Sequence, residues 1–232
     1  MHVVAITAHH VARHIELLRE MYRLRYRVFR DRLNWDVSAS GKLELDLFDT
    51  LGPSYLIALD QDQVVGCVRL LPTTGPTMLA ETFPALLGDR QAPRSERILE
   101  SSRFCVDTRS GSARAANGVG RVTFVLFAAM IEYLDAAGAD AIVTVTDVRM
   151  ERILRRAGWP LDRISPPQRI GETMALAGFL HRANETRLAM YERAGVEGPV
   201  LSEPALPRDL GTITLSFRDG YHGPSDAGRP AS

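Results

Sequence analysis

The chain has 232 residues, 45% of them hydrophobic and 24% charged, the proportions of an ordinary globular domain long enough to bury a full core. Its 28 basic and 28 acidic side chains cancel, which removes the electrostatic footprint of a nucleic-acid binder. No apolar run is long enough to cross a bilayer, and the N-terminus lacks the charged, apolar and small-residue order of a signal peptide. A cytoplasmic protein with no membrane or nucleic-acid partner is therefore expected.

A short strand over about residues 2–6 precedes a helix expected over roughly 10–32. Ile15, Leu18, Tyr22, Arg25, Phe29 and Leu33 recur at steps of three or four, the stripe of an amphipathic helix. Arg25 sits on that stripe and is carried inward, where an unpaired guanidinium would be very costly. Asp46 and Asp49 are the candidate partners nearest in sequence, and Glu100 is the distant one. Residues 35–50 read as loop, with 36–43 polar enough to act as a cover. Phe29 and Trp35 put flat rings beside the charges, which suits holding a cation.

Two apolar runs, 54–60 and 64–72, are separated by a polar turn and predict a hairpin, with Arg69 a second inward charge. Residues 77–87 predict a short helix carrying Phe83. The strand predicted over 98–107 poses a problem of phase. Regular alternation puts Glu100 with Phe104 on one face and Arg103 with Cys105 on the other, and a bulge near Ser101 and Ser102 would bring the two charges together.

An apolar helix over 119–137, a buried-type strand over 141–146, and a helix N-capped by Asp147 and ended by Gly158 follow. That last helix exposes Arg149, Arg152, Arg155 and Arg156, a solvated face or a dock for an acidic partner. A strand near 169–178 and a helix over about 184–194 complete one domain over 1–195. Residues 196–232 form a Pro- and Gly-rich extension expected to lose order toward its end. Alternating strands and helices with an early hairpin give an α/β fold, a mixed twisted sheet with helices on both faces. Cys67 and Cys105 are expected as buried, reduced thiols, and the histidines have no metal-ligand spacing, so no metal is expected.

Arg25, Val28, Phe29, Leu33 and Trp35, the acidic set Glu44, Asp46 and Asp49, the segment Gly66 with Arg69 to Thr73, then Phe83 and Glu100 to Arg103 together resemble the N-acyl-homoserine-lactone synthases. The resemblance covers about residues 1–195. It implies a three-layer acetyltransferase-like fold and a cytoplasmic acyltransferase making a quorum-sensing autoinducer. In that reaction the amine of S-adenosylmethionine attacks an acyl thioester, carried by acyl carrier protein more than by coenzyme A. Lactonisation then releases methylthioadenosine. Adenosylmethionine is consumed as substrate, so no cofactor is implied. By resemblance, Arg25, Phe29, Trp35, Phe83 and Arg103 frame the adenosylmethionine pocket, while Asp46, Asp49 and Arg69 form the ion-pair network that fixes it. Glu100 is the candidate general base, because an ammonium must lose a proton before it attacks. Thr144 and Thr146 share a strand face and are the candidates to meet the acyl chain, and the four arginines would meet the carrier protein. The runner-up is a different acetyltransferase-like enzyme that uses acyl-coenzyme A on another amine.

Overall fold

A computed structural model describes residues 1–109 and 119–202. The first strand, β1 (His2–Ile6), leads through a 3-10 turn at Ala8–Arg13 into α1 (Ile15–Tyr26). The helix therefore begins five residues later than its periodicity suggests. Ile15 at the head of the stripe stays exposed, whereas Leu18, Arg25 and Phe29 are buried. A π-helical turn at Arg27–Arg32 continues it, the kind of widened turn that accompanies functional sites. Asn34, with φ of 52°, ends the helical path.

The segment expected to be loop is more ordered than that. It holds a miniature hairpin, β2 (Ala39–Ser40) with β3 (Leu43–Glu44), and a 3-10 turn at Leu47–Thr50. The Asp46 side chain accepts from the Phe48 N–H while Asp49 accepts from the Asp46 N–H, a reciprocal capping box that aims both carboxylates. The predicted hairpin is present as β4 (Ser54–Asp60) and β5 (Gln63–Pro72), turning through Gln61 and Asp62, both at positive φ. The helix expected over 77–87 is broken. Its first turn is α2 (Met78–Glu81), capped by Thr77, and Pro84 starts a separate 3-10 turn at Pro84–Leu87, because the residue before a proline resists helical backbone.

The remaining elements are β6 (Ile98–Val106), α3 (Arg121–Ala137), β7 (Ala141–Asp147), α4 (Val148–Ala157), β8 (Asp162–Arg163), β9 (Gln168–Ile170), β10 (Thr173–His181), α5 (Asn184–Ala194) and β11 (Leu201–Ser202). One sheet runs in the order β11-β1-β4-β5-β6-β7-β10-β8, with β9 pairing β10. It is mixed: β6–β7 and β1–β11 are parallel, and the other pairings are antiparallel.

Helices cover both faces. On one, α3 is apolar nearly all round because it lies between the sheet and α5, and its Phe124, Leu126 and Phe127 join Leu56, Val68 and Leu70 in the largest core cluster. Gly66 permits that approach, since a Cβ there would lie 2.9 Å from Leu126 and Val122. The one acid buried in α3, Glu132, accepts from Tyr191 Oη (2.6 Å) and from the N–H groups of Val200 (2.9 Å) and Leu201 (2.8 Å). The described fold thus runs past residue 195, with β11 docked beside β1. The order expected for the last residues concerns positions outside the described ones. On the opposite face, α1 packs over Ile57, Cys67 and Cys105, and α2 packs over Val143 and Ala177. The candidate site lies on this second face.

Candidate active site

Three arginines and three carboxylates meet under α1. Arg25 is fully buried and donates through Nε to Glu44 and through Nη1 and Nη2 to the two oxygens of Asp49, at 2.8 and 2.9 Å. Arg69, also fully buried, donates to Ser102 Oγ (3.0 Å), to Asp46 (2.5 and 3.1 Å) and to Asp49 Oδ1 (2.9 Å). Arg103 reaches Glu44 Oε1 (2.9 Å) and Asp46 Oδ2 (2.6 Å). Three positive and three negative side chains balance, and bidentate geometry supplies the hydrogen bonds that buried charges demand.

The pairing corrects the expected one in two respects. Asp49 does bind Arg25, but Asp46 serves Arg69 and Arg103 instead, and the second partner of Arg25 is Glu44. Glu44 belongs to the acidic motif but not to the expected site residues. The signal was present, because Glu44 and Asp46 stand two apart at the end of an extended segment and so share a face. Glu100, the third candidate partner, takes no part in these pairs.

Burial alone would raise Asp49, but the hydrogen bonds and charge of Arg25, then the charge of Arg69, outweigh it and hold the carboxyl well below the usual range. Burial would likewise lower Arg25, and Asp49 followed by Glu44 reverse that, keeping it cationic. Aromatic rings face each guanidinium: Tyr22 below Arg25 at 5.2 Å, Phe48 at Arg69 at 5.6 Å and Phe29 at Arg103 at 5.7 Å. Trp35 stacks on Phe29 at 5.3 Å and remains 41% exposed, so this stack forms the solvent edge of the cluster.

A bulge puts Arg103 on this face, displaced from its expected place. The ladder is regular through Ser101 and Ser102, which pair with Leu70 and Arg69. The register then slips by one between Arg69↔Ser102 and Cys67↔Cys105, so Arg103 and Phe104 together oppose Val68. Arg103 takes φ of 55°, a strained conformation for a non-glycine residue of the sort that gathers at functional sites. The slip reverses the alternation beyond it. Arg103 and Cys105 join Glu100 on the α1 face, while Phe104 turns to meet Phe127 on the α3 face. Cys67 and Cys105 are free thiols 3.5 Å apart under α1.

Glu100 is 1% exposed and accepts from the first N–H groups of α2, Met78 and Leu79, both at 2.7 Å. Burial pushes its carboxyl up from the ordinary value, and those two backbone bonds pull it only part of the way back. A carboxylate has about four acceptor sites, so two remain for a water or an amine. Met78 links Glu100 to the charged cluster, since its sulfur accepts from Arg69 (3.2 Å) and from Arg103 (3.6 Å). Phe83, after α2, packs against Phe48, Leu71 and Met78.

The sheet opens at the same level. Strands β6 and β7 pair from Ile98↔Ala141 to Ser101↔Thr144 and then part, β6 continuing with β5 and β7 with β10. Thr144 Oγ1 donates to Ser101 O (3.1 Å), closing the last rung, and Thr146 lies beyond the split. Both point to the α3 face, away from the arginine cluster. The four arginines of α4 are all exposed, and Glu151 behind them is held by Arg163 at 2.6 and 2.7 Å.

A twisted mixed sheet split between two parallel strands, with paired charges at the mouth of the split, defines an acetyltransferase-like protein. The chain belongs to the autoinducer synthase family, whose model matches residues 9–190, and it is an acyl-homoserine-lactone synthase, an acyltransferase. It is 47% identical over 181 residues to the acyl-homoserine-lactone synthase of Agrobacterium fabrum, covering 78% of this chain and 86% of that one. It is 48% identical over 164 residues to that of Rhizobium radiobacter, covering 70% and 77%. Among solved structures, it resembles the CoA-dependent synthase BjaI with MTA (TM-score 0.78, 25% identity, 87% and 92% covered) and the AHL synthase LasI (0.68, 37%, 80% and 92%). An acyl-CoA N-acyltransferase from Pseudomonas aeruginosa, at TM-score 0.51 and 12% identity over 78% of this chain and 98% of its own, shares the fold alone.

Proposed function

We propose that this synthase acylates the amine of S-adenosylmethionine with an acyl group from acyl carrier protein and then lactonises the product, releasing methylthioadenosine. The observation that carries the reading is the joining of Arg25, Arg69 and Arg103 to Glu44, Asp46 and Asp49 at the point where β6 and β7 separate. Adenosylmethionine bears a carboxylate, an ammonium and a sulfonium. The partly exposed Arg103 and the Phe29–Trp35 stack offer a guanidinium for the first and ring faces for the third. The similar CoA-dependent synthase BjaI has been solved with SAM and isopentyl-CoA.

The chemistry then divides among named groups. Arg25 and Asp49 set the floor, Arg103 orients the substrate, and Phe83 closes the far wall. Glu100, its carboxyl raised by burial, takes the ammonium proton directly or through a water on one of its remaining acceptor sites. Backbone N–H groups at the Arg103–Phe104 bulge face the developing thioester oxyanion. The freed amine attacks the carbonyl, the carrier thiol leaves, and the methionine carboxylate displaces methylthioadenosine at the γ-carbon. Neither cysteine is acylated: both are buried under α1, and the Cys105 hydrogen bond and burial push the Cys67 thiol up. The acyl chain runs down the α3 face past Thr146 and Thr144, and the exposed arginines of α4 receive the acidic carrier protein.

Purified protein incubated with adenosylmethionine and a panel of carrier-protein and coenzyme A thioesters tests this, with methylthioadenosine followed by mass spectrometry. Release driven by carrier-protein thioesters is expected. Release with coenzyme A thioesters alone would overturn the donor assignment, and none with any donor would overturn the reaction.

A further inference from the structure

Asp49 accepts five hydrogen bonds, as many as Arg69 donates, and one of its donors lies outside the charged set. Its Oδ1 accepts from Arg25, from Arg69 and from Tyr55 Oη, the last at 2.7 Å, and its Oδ2 accepts from Arg25 and from the Asp46 N–H. Tyr55 stands on β4, 3% exposed, with its ring in the core under α1. Its hydroxyl pairs with Tyr22 Oη at 3.0 Å, and the two rings meet edge to face at 6.1 Å. Tyr22 in turn lies under the Arg25 guanidinium. Tyr22, Tyr55, Asp49 and Arg25 therefore close a ring of contacts joining α1, β4 and the acidic turn.

That ring solves a problem the ion pairs alone leave open. A carboxylate between two guanidiniums can rotate or slide toward either, since both attract it over a broad range of geometry. A hydroxyl on a rigid strand fixes one oxygen at one point. Burial first, and then the nearby charge of Asp49, push the Tyr55 hydroxyl far up, so it remains a donor across the working pH range. Through the capping box, the place of Asp49 also sets that of Asp46, which holds Arg69 and Arg103.

We infer that Tyr55 is a positioning residue for the methionine end of the substrate, acting through Asp49 on Arg103, with Tyr22 fixing the direction of its hydroxyl. This inference rests on the adenosylmethionine reading above. The test is steady-state kinetics of Tyr55→Phe with both substrates varied, alongside thermal unfolding. Phenylalanine keeps the buried ring and removes only the donor. The Michaelis constant for adenosylmethionine is expected to rise about tenfold, the worth of one hydrogen bond to a charged group. Turnover and the constant for the acyl thioester should stay within about threefold, a pattern that loss of folded protein would not produce. Tyr22→Phe, which leaves the bond to Asp49 intact, should shift the same constant by about two- to threefold. In an Asp49→Asn background, Tyr55→Phe should add less than about twofold, because the group it positions is already altered.

An unchanged adenosylmethionine constant in Tyr55→Phe, or full additivity with Asp49→Asn, would overturn the assignment of Tyr55 while leaving the reaction standing. Wild-type protein that releases no methylthioadenosine would overturn the reaction itself, and this inference with it.

Discussion

Two groups of arginines divide this molecule. Arg25, Arg69 and Arg103 are buried or nearly so, each held by carboxylates at fixed geometry and faced by a ring. Arg149, Arg152, Arg155 and Arg156 stand on the outer side of α4 in water, where the one ion pair they make among the described residues, Arg155 with Glu151, is 3.7 Å long. The same side chain does opposite work in the two settings. Inside, it is part of a rigid frame in which removal of one charge strands another. Outside, it is a screened, movable charge that contributes little to the fold.

The largest effect should come from breaking the inner set. Arg69→Met leaves Asp46 and Asp49 short of their shared partner and is expected to cost about 3–5 kcal/mol of stability, read by denaturant unfolding. A loss as small as that of a surface arginine would show that the network is dispensable to the fold. Next in size is Glu100→Gln, which keeps the shape and at least one backbone contact while removing the proposed base. Turnover should fall by about a hundredfold or more, and adenosylmethionine affinity by far less. The reverse pattern would reassign Glu100 to binding.

The two carboxylates should also part company with pH. Asp49 is depressed in the folded state, so its stabilisation is present above the ordinary carboxylate range and is lost as pH falls below it. Glu100 is raised, so the acid limb of kcat/KM should lie above the ordinary glutamate value of about 4.3, and Glu100→Gln should abolish that limb.

The outer set should respond more gently. Replacing all four α4 arginines with alanine should raise the Michaelis constant for a carrier-protein thioester and remove most of its salt dependence. The midpoint of unfolding and the constant for adenosylmethionine should hold. Smallest of all, Thr146→Val should change the preference between 3-oxo and unsubstituted chains by no more than about tenfold, the scale of one neutral hydrogen bond. Thr144→Val should mainly loosen the last rung between β6 and β7, because its hydroxyl is already committed to Ser101.

Much of this contrast was legible in the residues themselves. Helical spacing alone carried Arg25 inward, and the apolar run around Arg69 did the same, since few ways exist to bury a guanidinium. The capped helix α4 and its exposed arginines followed from Asp147, Gly158 and periodicity. What stayed hidden was set by tertiary contact. Glu44 could not be assigned to Arg25 without the miniature hairpin that turns it inward. The bulge expected near Ser101 and Ser102 is absent, since the ladder is regular there; the register slips later, at Arg103 and Phe104, a position set by how β6 meets β5. The π-helical turn, the break at Pro84 and the tyrosine pair likewise depend on what packs against them. The hidden part is therefore mostly the partner of each charge, while the visible part is where each charge must go.

The central proposal, that adenosylmethionine is acylated and then closed to a lactone at the arginine–carboxylate cluster, is tested most directly by product stoichiometry in a single incubation of wild-type enzyme with adenosylmethionine and a carrier-protein thioester. Equal amounts of acyl-homoserine lactone and methylthioadenosine are predicted. An acylated amine formed without methylthioadenosine would contradict it.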